Sequence, residues 1–272
     1  MYQVGKNPTL LIFGQNFAGF YNGSSNGDYT QQVRRFRIVD NGDYLGVIVY
    51  PATPPNPNYR RRDLNVVPIV QYNKDDKKVP GFVALSGVFT LNTGIWTVPV
   101  EITTNGQPSM ADPTLSATFK QGMNNYACPH AELLSKHGNM YTILFGGITF
   151  GFFQNKTFQT DSEIPFTNQM TIVKRNRCGL YEQYLLPTQY PVILSKASNP
   201  NNQLLFGAGG IFIRACDIPT TCNKVINLKK IKKPTVIGYI LGGIQSTLPN
   251  TNTSSDSAAS PYIFKVILTP HC

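Results

Sequence analysis

The sequence has little charge and little histidine. Only 14% of its 272 residues are Asp, Glu, Lys or Arg, and only three are His, whereas an average soluble protein is roughly 25% charged. Runs of Ala, Leu, Glu and Lys, which the exposed faces of long helices favour, are scarce. Together with 23 Gly, 20 Pro, 14 Tyr and 16 Phe, this composition favours a turn-rich, all-β protein.

Other absences exclude particular kinds of site. The five cysteines show no CxxC spacing, so a structural zinc site is not expected. The sequence contains neither an HExxH motif nor a glycine-rich phosphate loop. No run reaches the roughly 18 apolar residues that a membrane-spanning helix needs. We therefore expect no metal, no cofactor and no membrane span.

The start of the sequence shows no basic segment followed by an apolar one, which is the pattern of a secretory leader. The absence of this pattern is typical of a cytoplasmic protein or of a mature chain that has lost N-terminal sequence. Because residues 1–4 lie almost at the first predicted strand, we expect that upstream sequence is missing.

The chain is basic, with a formal net charge of +10. The basic residues cluster at 34–37, 60–62, 174–177 and 229–233, each time near a predicted strand end or loop. A basic surface can contact nucleic acid, an anionic membrane or an acidic glycan. No nucleic-acid recognition motif accompanies the charge, so specific nucleic-acid binding is not expected. An acidic partner within a larger assembly is a further alternative.

Two cysteines, Cys216 and Cys222, flank the segment Asp-Ile-Pro-Thr-Thr. This loop could bring the two side chains within disulfide distance, or both could remain free thiols. A disulfide here would indicate an oxidising compartment.

An apolar strand that runs into glycine recurs along the chain. The clearest copies are MYTILFGGI at 140–148 and IGYILGGI at 237–244, with related stretches at 10–16 and 82–89. Glycine weakens a strand interior, so it indicates a bulge or a neighbouring backbone too close for a Cβ atom. The glycines to which we assign this structural role are Gly14, Gly87, Gly146, Gly147, Gly242 and Gly243.

The flanking sequence repeats as well. A strand precedes each copy, and a variable loop, an alternating strand, a turn and a short outer strand follow it. A looser copy of the apolar-glycine stretch, at 204–212, is expected to form the preceding strand of the last unit. Four-stranded repeats with a double glycine are typical of β-propeller blades. In that arrangement the second strand runs near the central channel, where neighbouring blades crowd together. A β-sandwich with glycine bulges is the alternative.

At these residues the chain resembles the kelch-type β-propellers, and in particular uncharacterised, exported kelch-like bacterial proteins. The resembling segments are 61–68, 81–89, 139–148, 164–166, 238–244 and 258–266. The resemblance implies one propeller domain over residues 1–272, with four or five four-stranded blades visible and N-terminal blades missing or supplied by another chain. Propellers usually close by pairing a terminal strand with the last blade, and residues 1–4 or the strand near Phe264 could do so here. It also implies a secreted or cell-surface location. Kelch blades often carry a Tyr and a Trp after the double glycine, whereas this chain has one Trp, Trp96.

Propellers carry both enzymes and binding surfaces, so the fold alone does not decide the function. Long polar loops at 50–59 and 249–260, and aromatic residues after the glycines, favour a binding face. The candidate binding-face residues are Phe17, Phe20, Tyr21, Phe152, Phe153, Arg61 and Arg62. The aromatic side chains could instead pack within their own loops. We predict a non-catalytic scaffold that contacts a protein or a glycan.

The alternative is a carbohydrate-active enzyme on the same fold, either a glycosidase or an oxidase. A glycosidase needs two carboxylates, and the acidic residues on or beside predicted strands are Glu101, Glu163 and Glu182. A copper oxidase of the kelch type would use histidines near a cysteine. The residues available for that site are His130, His137 and Cys128.

Overall fold

The computed structural model describes residues 1–19, 27–88, 90, 94–196, 198–251 and 253–270. The described chain is all-β and contains no α-helix, which confirms the predicted class. Its strands are β1 (Thr9–Ile12), β2 (Gln15–Asn16), β3 (Asp28–Tyr29), β4 (Val33–Asp40), β5 (Leu45–Tyr50), β6 (Asn65–Tyr72), β7 (Lys78–Leu85), β8 (Val100–Thr103), β9 (Pro108–Met110), β10 (His130–Leu134), β11 (Met140–Ile148), β12 (Gly151–Gln154), β13 (Thr157–Thr160), β14 (Phe166–Arg175), β15 (Tyr181–Gln189), β16 (Ile211–Arg214), β17 (Ile226–Asn227), β18 (Thr235–Leu241), β19 (Ile244–Ser246), β20 (Ser257–Ala259) and β21 (Ile263–Leu268). Short 3₁₀ turns occur at Pro57–Tyr59, Cys222–Lys224 and Leu228–Lys230.

Most strands belong to four antiparallel sheets that follow one another along the chain. The first is β1-β4-β5, the second β6-β7-β8-β9, the third β10-β11-β14-β15 and the fourth β16-β18-β21. A single isolated bridge to Leu10 places Tyr2 beside β1, and the two-residue strand β17 pairs in parallel with β10 as a fifth strand of the third sheet. In chain order, β7, β11 and β18 of the sequence repeat are the second main strands of the second, third and fourth sheets, and β1 has the corresponding place in the first.

Consecutive sheets pack face to face through three hydrophobic clusters. The cluster between the first and second sheets includes Leu10, Val33, Phe82 and Ile102. The cluster between the second and third includes Val67, Ile69, Leu134 and Leu144. The cluster between the third and fourth includes Leu133, Phe145, Ile237 and Ile240.

The position of a sheet in this row explains its sequence pattern. The strand β6 of the second sheet is almost continuously apolar, and its residues are buried on both faces because a sheet covers each side. In β21 of the fourth sheet, exposed and partly buried residues alternate strictly, because only one face is covered. The two inner sheets therefore bury both faces, and the two end sheets bury one.

The double glycines mark close approaches between backbones. Gly147 N donates a hydrogen bond of 2.9 Å to Phe206 O in the segment that leads into the fourth sheet. A Cβ atom on Gly146 would lie 2.7 Å from the same carbonyl oxygen. At the next double glycine, a Cβ atom on Gly243 would lie 2.5 Å from Gly210 N. The glycines therefore admit the segment 204–210, which is called the crossing segment below.

Several details differ from the sequence-based expectation. We expected residues around Leu204 to form the first strand of the last unit, but that strand is β16. The crossing segment does not form a regular strand, because the two double glycines enclose it closely. Neither end of the chain closes a ring, because Tyr2 pairs with Leu10 and Phe264 pairs with Ile240 within their own sheets. The described strands form four main sheets, not the two layers of a sandwich.

The segment between Cys216 and Cys222 does not form the disulfide that we considered. Both thiols are free and exposed. Ile218 is buried in this loop, and Pro219 O accepts a hydrogen bond from Asn227 N, so the loop is held by packing and backbone contacts. No helix in the described ranges is long and apolar enough to cross a membrane.

Candidate functional site

Among the described residues, added hairpins follow β1, β11 and β18 in the first, third and fourth sheets. These hairpins are β2–β3 in the first sheet, β12–β13 in the third and β19–β20 in the fourth. The last two lie side by side, because Phe166 N donates to Pro249 O at 2.8 Å and Asn250 Nδ2 donates to Asp161 Oδ2 at 3.0 Å. Insertions at one equivalent position concentrate variable loops on one face, where recognition surfaces commonly lie.

A cavity of about 320 Å³ opens beside the β12–β13 hairpin, at the junction of the third and fourth sheets. Its volume lies at the lower end of the roughly 300–1,000 Å³ of ligand pockets. Its lining is rich in phenyl rings and side-chain amides: Phe152, Phe153, Gln154, Asp161, Pro165, Phe166, Thr167, Asn168, Gln169, Gln189, Gln203, Leu205 and Pro249. This cavity is called the amide pocket below.

Two of the amides fix the walls of the amide pocket. Gln169 binds both backbone groups of Phe153: its Nε2 donates to the carbonyl oxygen at 2.5 Å, and its Oε1 accepts from the amide at 2.9 Å. Asn168 in the same way donates to Leu204 O and accepts from Phe206 N. Because both polar ends of each side chain are engaged, these two residues position the hairpin and the crossing segment.

The remaining polar groups point to ligand contact. Gln154 and Gln189 are exposed and Gln203 is half-buried, and in the described part of the chain no hydrogen bond engages their side-chain amides. The Asn250 amide and the Glu163 backbone N–H hold the pKa of Asp161 below its usual value, so its carboxylate is ionised at neutral pH. The pocket thus combines amide donors and acceptors, one anionic acceptor and the ring of Phe152.

A second cleft, of about 560 Å³, lies between the outer strands of the second and third sheets. It contains Glu101, one of the acidic residues considered for glycoside hydrolysis. Both carboxylate oxygens of Glu101 are engaged: Arg175 donates at 2.6 and 3.1 Å, Tyr181 Oη at 2.7 Å and Gln71 Nε2 at 2.6 Å. Four donors on one carboxylate fix it in place as an ionised contact between two sheets.

The other acidic candidates are also held by local contacts. Glu182 is exposed and pairs with Lys174 at 2.6 Å. Its pKa is lowered by the hydrogen bonds from Lys174 and Tyr184. Glu163 donates its backbone N–H to Asp161 Oδ1 at 2.8 Å, in the turn before β14.

The residues considered for a copper site do not converge. Cys128 is buried against Asn65, and burial raises its pKa to about 12, so it is a protonated thiol. His130 Nδ1 lies 2.5 Å from Glu132 Oε1, whereas His137 is exposed in the following turn. In the ranges that the structure describes, no group of three or more His, Cys, Asp or Glu side chains could hold a metal ion.

The predicted binding-face aromatics are divided. Phe152 and Phe153 line the amide pocket, and Phe153 also packs edge-on against Phe158, with ring centroids 5.4 Å apart. Phe17 follows β2 in the first hairpin and is 39% exposed. Phe20 and Tyr21 lie outside the described residues.

The two arginines proposed for the binding face have structural contacts. Arg62 donates to Gln15 Oε1 at 2.9 Å and lies 3.5 Å from the Asp63 carboxylate. Arg61 is fully buried, so its assignment to a binding face does not agree with the structure. The Arg61 guanidinium donates to the backbone carbonyls of Ser86, Val98 and Asn58. Burial lowers its pKa to about 9, so it is still protonated at neutral pH.

Sequence reasoning found two of the three phenylalanines that line the amide pocket, Phe152 and Phe153, and missed its glutamine amides. The three glutamines lie on separate parts of the chain: Gln154 ends β12, Gln189 ends β15, and Gln203 directly precedes the crossing segment. No local motif joins them, and only the packing of the third sheet on the fourth brings them to one cavity. A scan against protein-family models finds no match for the chain, and a search of curated proteins finds no similar sequence.

Proposed function

We propose that this chain is a non-catalytic recognition scaffold of the kelch-like propeller type, whose amide pocket contacts a neutral glycan. The single observation that carries the proposal is the Phe152 ring beside three unpaired side-chain amides in one cavity. A phenyl ring can stack on the C–H face of a sugar, while amides supply both donors and acceptors for its hydroxyl groups. A small, rigidly walled pocket suits one or two sugar rings.

Two observations support a propeller-like fan of sheets. The closest approaches between the second, third and fourth sheets are made by their first strands, β6 with β10 and β10 with β16. In addition, Tyr2 Oη, beside β1 of the first sheet, donates a hydrogen bond of 2.6 Å to Val66 O in β6, the first strand of the second sheet. Sheets that converge at their inner strands and diverge outward would produce both.

The acid–base chemistry of the pocket favours binding over hydrolysis. Among the described residues that line it, Asp161 is the only carboxylate. Glycoside hydrolysis commonly uses two carboxylates, one with a raised pKa that protonates the leaving group. The pKa of Asp161 is instead lowered, which suits a hydrogen-bond acceptor and not a general acid.

The proposal is tested by screening the purified chain on a glycan array and measuring the best hit by calorimetry. We expect Phe152→Ala and Gln203→Ala each to weaken binding at least tenfold, equivalent to about 1.4 kcal/mol. Gln159→Ala is the matched control, because Gln159 is exposed on β13 of the same hairpin and does not line the pocket. No glycan bound above background, or equal losses in all three variants, would overturn the proposal. Capture of a protein partner that Phe152→Ala abolishes would replace the glycan by a protein.

A secreted or cell-surface location is part of this proposal and rests on the family resemblance alone. The exposed free thiols of Cys178, Cys216 and Cys222 are more typical of a reducing compartment. Fractionation of the native source, with an antibody against the chain, tests the location. Recovery in the cytosol alone would contradict the secreted or cell-surface location, and it would not affect the proposal that the amide pocket binds a glycan.

A further inference from the structure

The two end sheets each leave one apolar face uncovered. On the first sheet, this face carries exposed Ile38, Leu45, Val47 and Val49, which are 58%, 72%, 61% and 77% exposed. Ile38 lies opposite Val47 in the strand register, which places both side chains on the same side of the sheet. The opposite side of the same sheet carries Leu10 and Val33 of the core. These four exposed residues are called the leading face.

The fourth sheet has a corresponding surface at the other end of the row. Its exposed apolar residues are Ile211, Ile213, Tyr239, Ile263 and Ile267. The register pairs Ile213 with Tyr239, and it also pairs Tyr239 with Lys265, so the side chains form cross-strand rows on one side. Phe212 and Phe264 point to the other side and belong to the core. The five exposed residues are called the trailing face.

Each face exposes on the order of 400 Å² of apolar side chain, as much as the largest patch on a typical monomer. One chain carries two such patches, at opposite ends of one row of sheets. Elsewhere in the row, apolar sheet faces are covered by the next sheet. The leading and trailing faces are therefore the two apolar sheet faces on which no other sheet of the chain packs.

We propose that the leading face of one chain packs on the trailing face of a second copy, and that two copies close head to tail into a ring of eight sheets. The contact continues a packing mode that the chain uses three times internally. Eight sheets lie at the upper end of the usual range of about four to eight propeller blades. The closure rests on the fan arrangement in the proposed function, but the pairing of the two faces does not.

The charges on the two faces agree with this pairing. Lys265 is exposed on the side of β21 that carries the trailing face, opposite Tyr239. Asp40 is exposed at the border of the leading face, opposite Leu45. Arg34, on the same side of the first sheet, is turned to Asn16 Oδ1 at 3.1 Å within its own chain. Two trailing faces would bring Lys265 against its own copy, whereas the mixed pair brings Lys265 toward Asp40.

The proposal is tested by light scattering coupled to gel filtration over a range of concentrations. We expect twice the chain mass of 30.1 kDa, with no growth beyond the dimer, because a closed ring has no free face. Val47→Lys on the leading face and Ile267→Lys on the trailing face should each give a monomer. Leu180→Lys is the control, because Leu180 is 67% exposed and lies on neither face, and it should remain dimeric.

A mixing experiment identifies which faces meet. In a head-to-tail pair, a Val47→Lys chain and an Ile267→Lys chain share one contact in which neither face is altered. Mixing the two monomeric variants should therefore restore dimers. Dimers of only one variant, or no dimers after mixing, would overturn the pairing of unlike faces. A monomeric unaltered chain, or one that grows into filaments, would overturn the ring, and neither result would affect glycan binding in the amide pocket.

Discussion

Arg175 of the third sheet donates two hydrogen bonds to the Glu101 carboxylate of the second sheet, from Nε at 2.6 Å and from Nη2 at 3.1 Å. The side chains are only 11% and 24% exposed, and Tyr181 and Gln71 complete the shell around the carboxylate. This ion pair joins the third strands of the two sheets, β8 and β14, and Glu101 also lines the large cleft. This geometry is typical of a structural ion pair that links two sheets.

We expect Glu101→Gln to destabilise the chain by about 2–3 kcal/mol, because it leaves the largely buried Arg175 without a counter-charge. Urea unfolding at neutral pH measures the loss. Glu182→Gln serves as the control: its partner Lys174 is 25% exposed and Glu182 itself 52%, so solvent screening should make the loss much smaller than that of Glu101→Gln. Equal losses in the two variants would show that the tie between the sheets contributes no more than a surface pair.

His130 should make stability depend on pH. Burial lowers its pKa, but the charge and hydrogen bond of Glu132 outweigh this, so that the folded-state pKa is raised. A histidine whose folded-state pKa is raised contributes its full stability below the unfolded-state pKa of about 6.5. That contribution is lost as the pH rises through the folded-state pKa. Unfolding free energies of the unaltered chain and of His130→Gln should therefore converge with rising pH. His137→Gln, at an exposed position, should follow the unaltered chain, and a constant gap for His130→Gln would contradict the assignment.

Arg61 is expected to act as an interior polar anchor. Its guanidinium donates to three backbone carbonyls and lies 4.7 Å from the centroid of the Trp96 ring. Arg61→Ala would leave buried carbonyls without donors and should cost at least about 3 kcal/mol. Arg61→Lys should recover little, because an ammonium cannot reach all three carbonyls as a planar fork does. The comparison variant is Arg177→Ala, at a side chain 46% exposed. A loss of less than about 1 kcal/mol for Arg61→Ala, measured by urea unfolding, would refute the anchor role.

The thiols should differ in reactivity. In the folded chain, maleimide should modify the exposed Cys178, Cys216 and Cys222 and spare the buried Cys128, whose pKa is raised by burial. Peptide mapping by mass spectrometry reads each position separately. Protection of Cys216 and Cys222 together, relieved by a reductant, would reveal the bridge that the structure lacks.

The repeat was the part of the fold that the sequence revealed best. The stretches that end in Gly87, Gly147 and Gly243 coincide with β7, β11 and β18, the second main strands of three sheets, because the apolar run and the glycine are local features. The crossing segment was misjudged as a strand because its apolar residues resemble the other copies. Its conformation is decided by the double glycines on either side, which lie far away in sequence.

The site was less predictable than the strands. Phe152 and Phe153 follow a glycine motif and could be singled out, whereas Gln203 enters the amide pocket only through packing between sheets. Arg61 was misplaced because a run of three arginines usually lies at a surface, and the carbonyls that compensate its burial come from separate loops. Which residues face a cavity depends on contacts between distant segments, and periodicity does not report these.

The central claim is that the double glycines are needed because a neighbouring backbone passes too close for a Cβ atom. Two adjacent residues, Gly242 and Gly243, test this claim. Gly242 and Gly243 both have positive φ, +63° and +78°, so alanine at either should cost about 1–2 kcal/mol in backbone strain. A Cβ atom on Gly242 would meet nothing within 4 Å, whereas one on Gly243 would lie 2.5 Å from Gly210 N and 2.6 Å from Ala208 O. In urea unfolding we therefore expect Gly243→Ala to lose at least about 2 kcal/mol more than Gly242→Ala. Losses equal to within about 0.5 kcal/mol would contradict the close crossing on which the arrangement of the sheets rests.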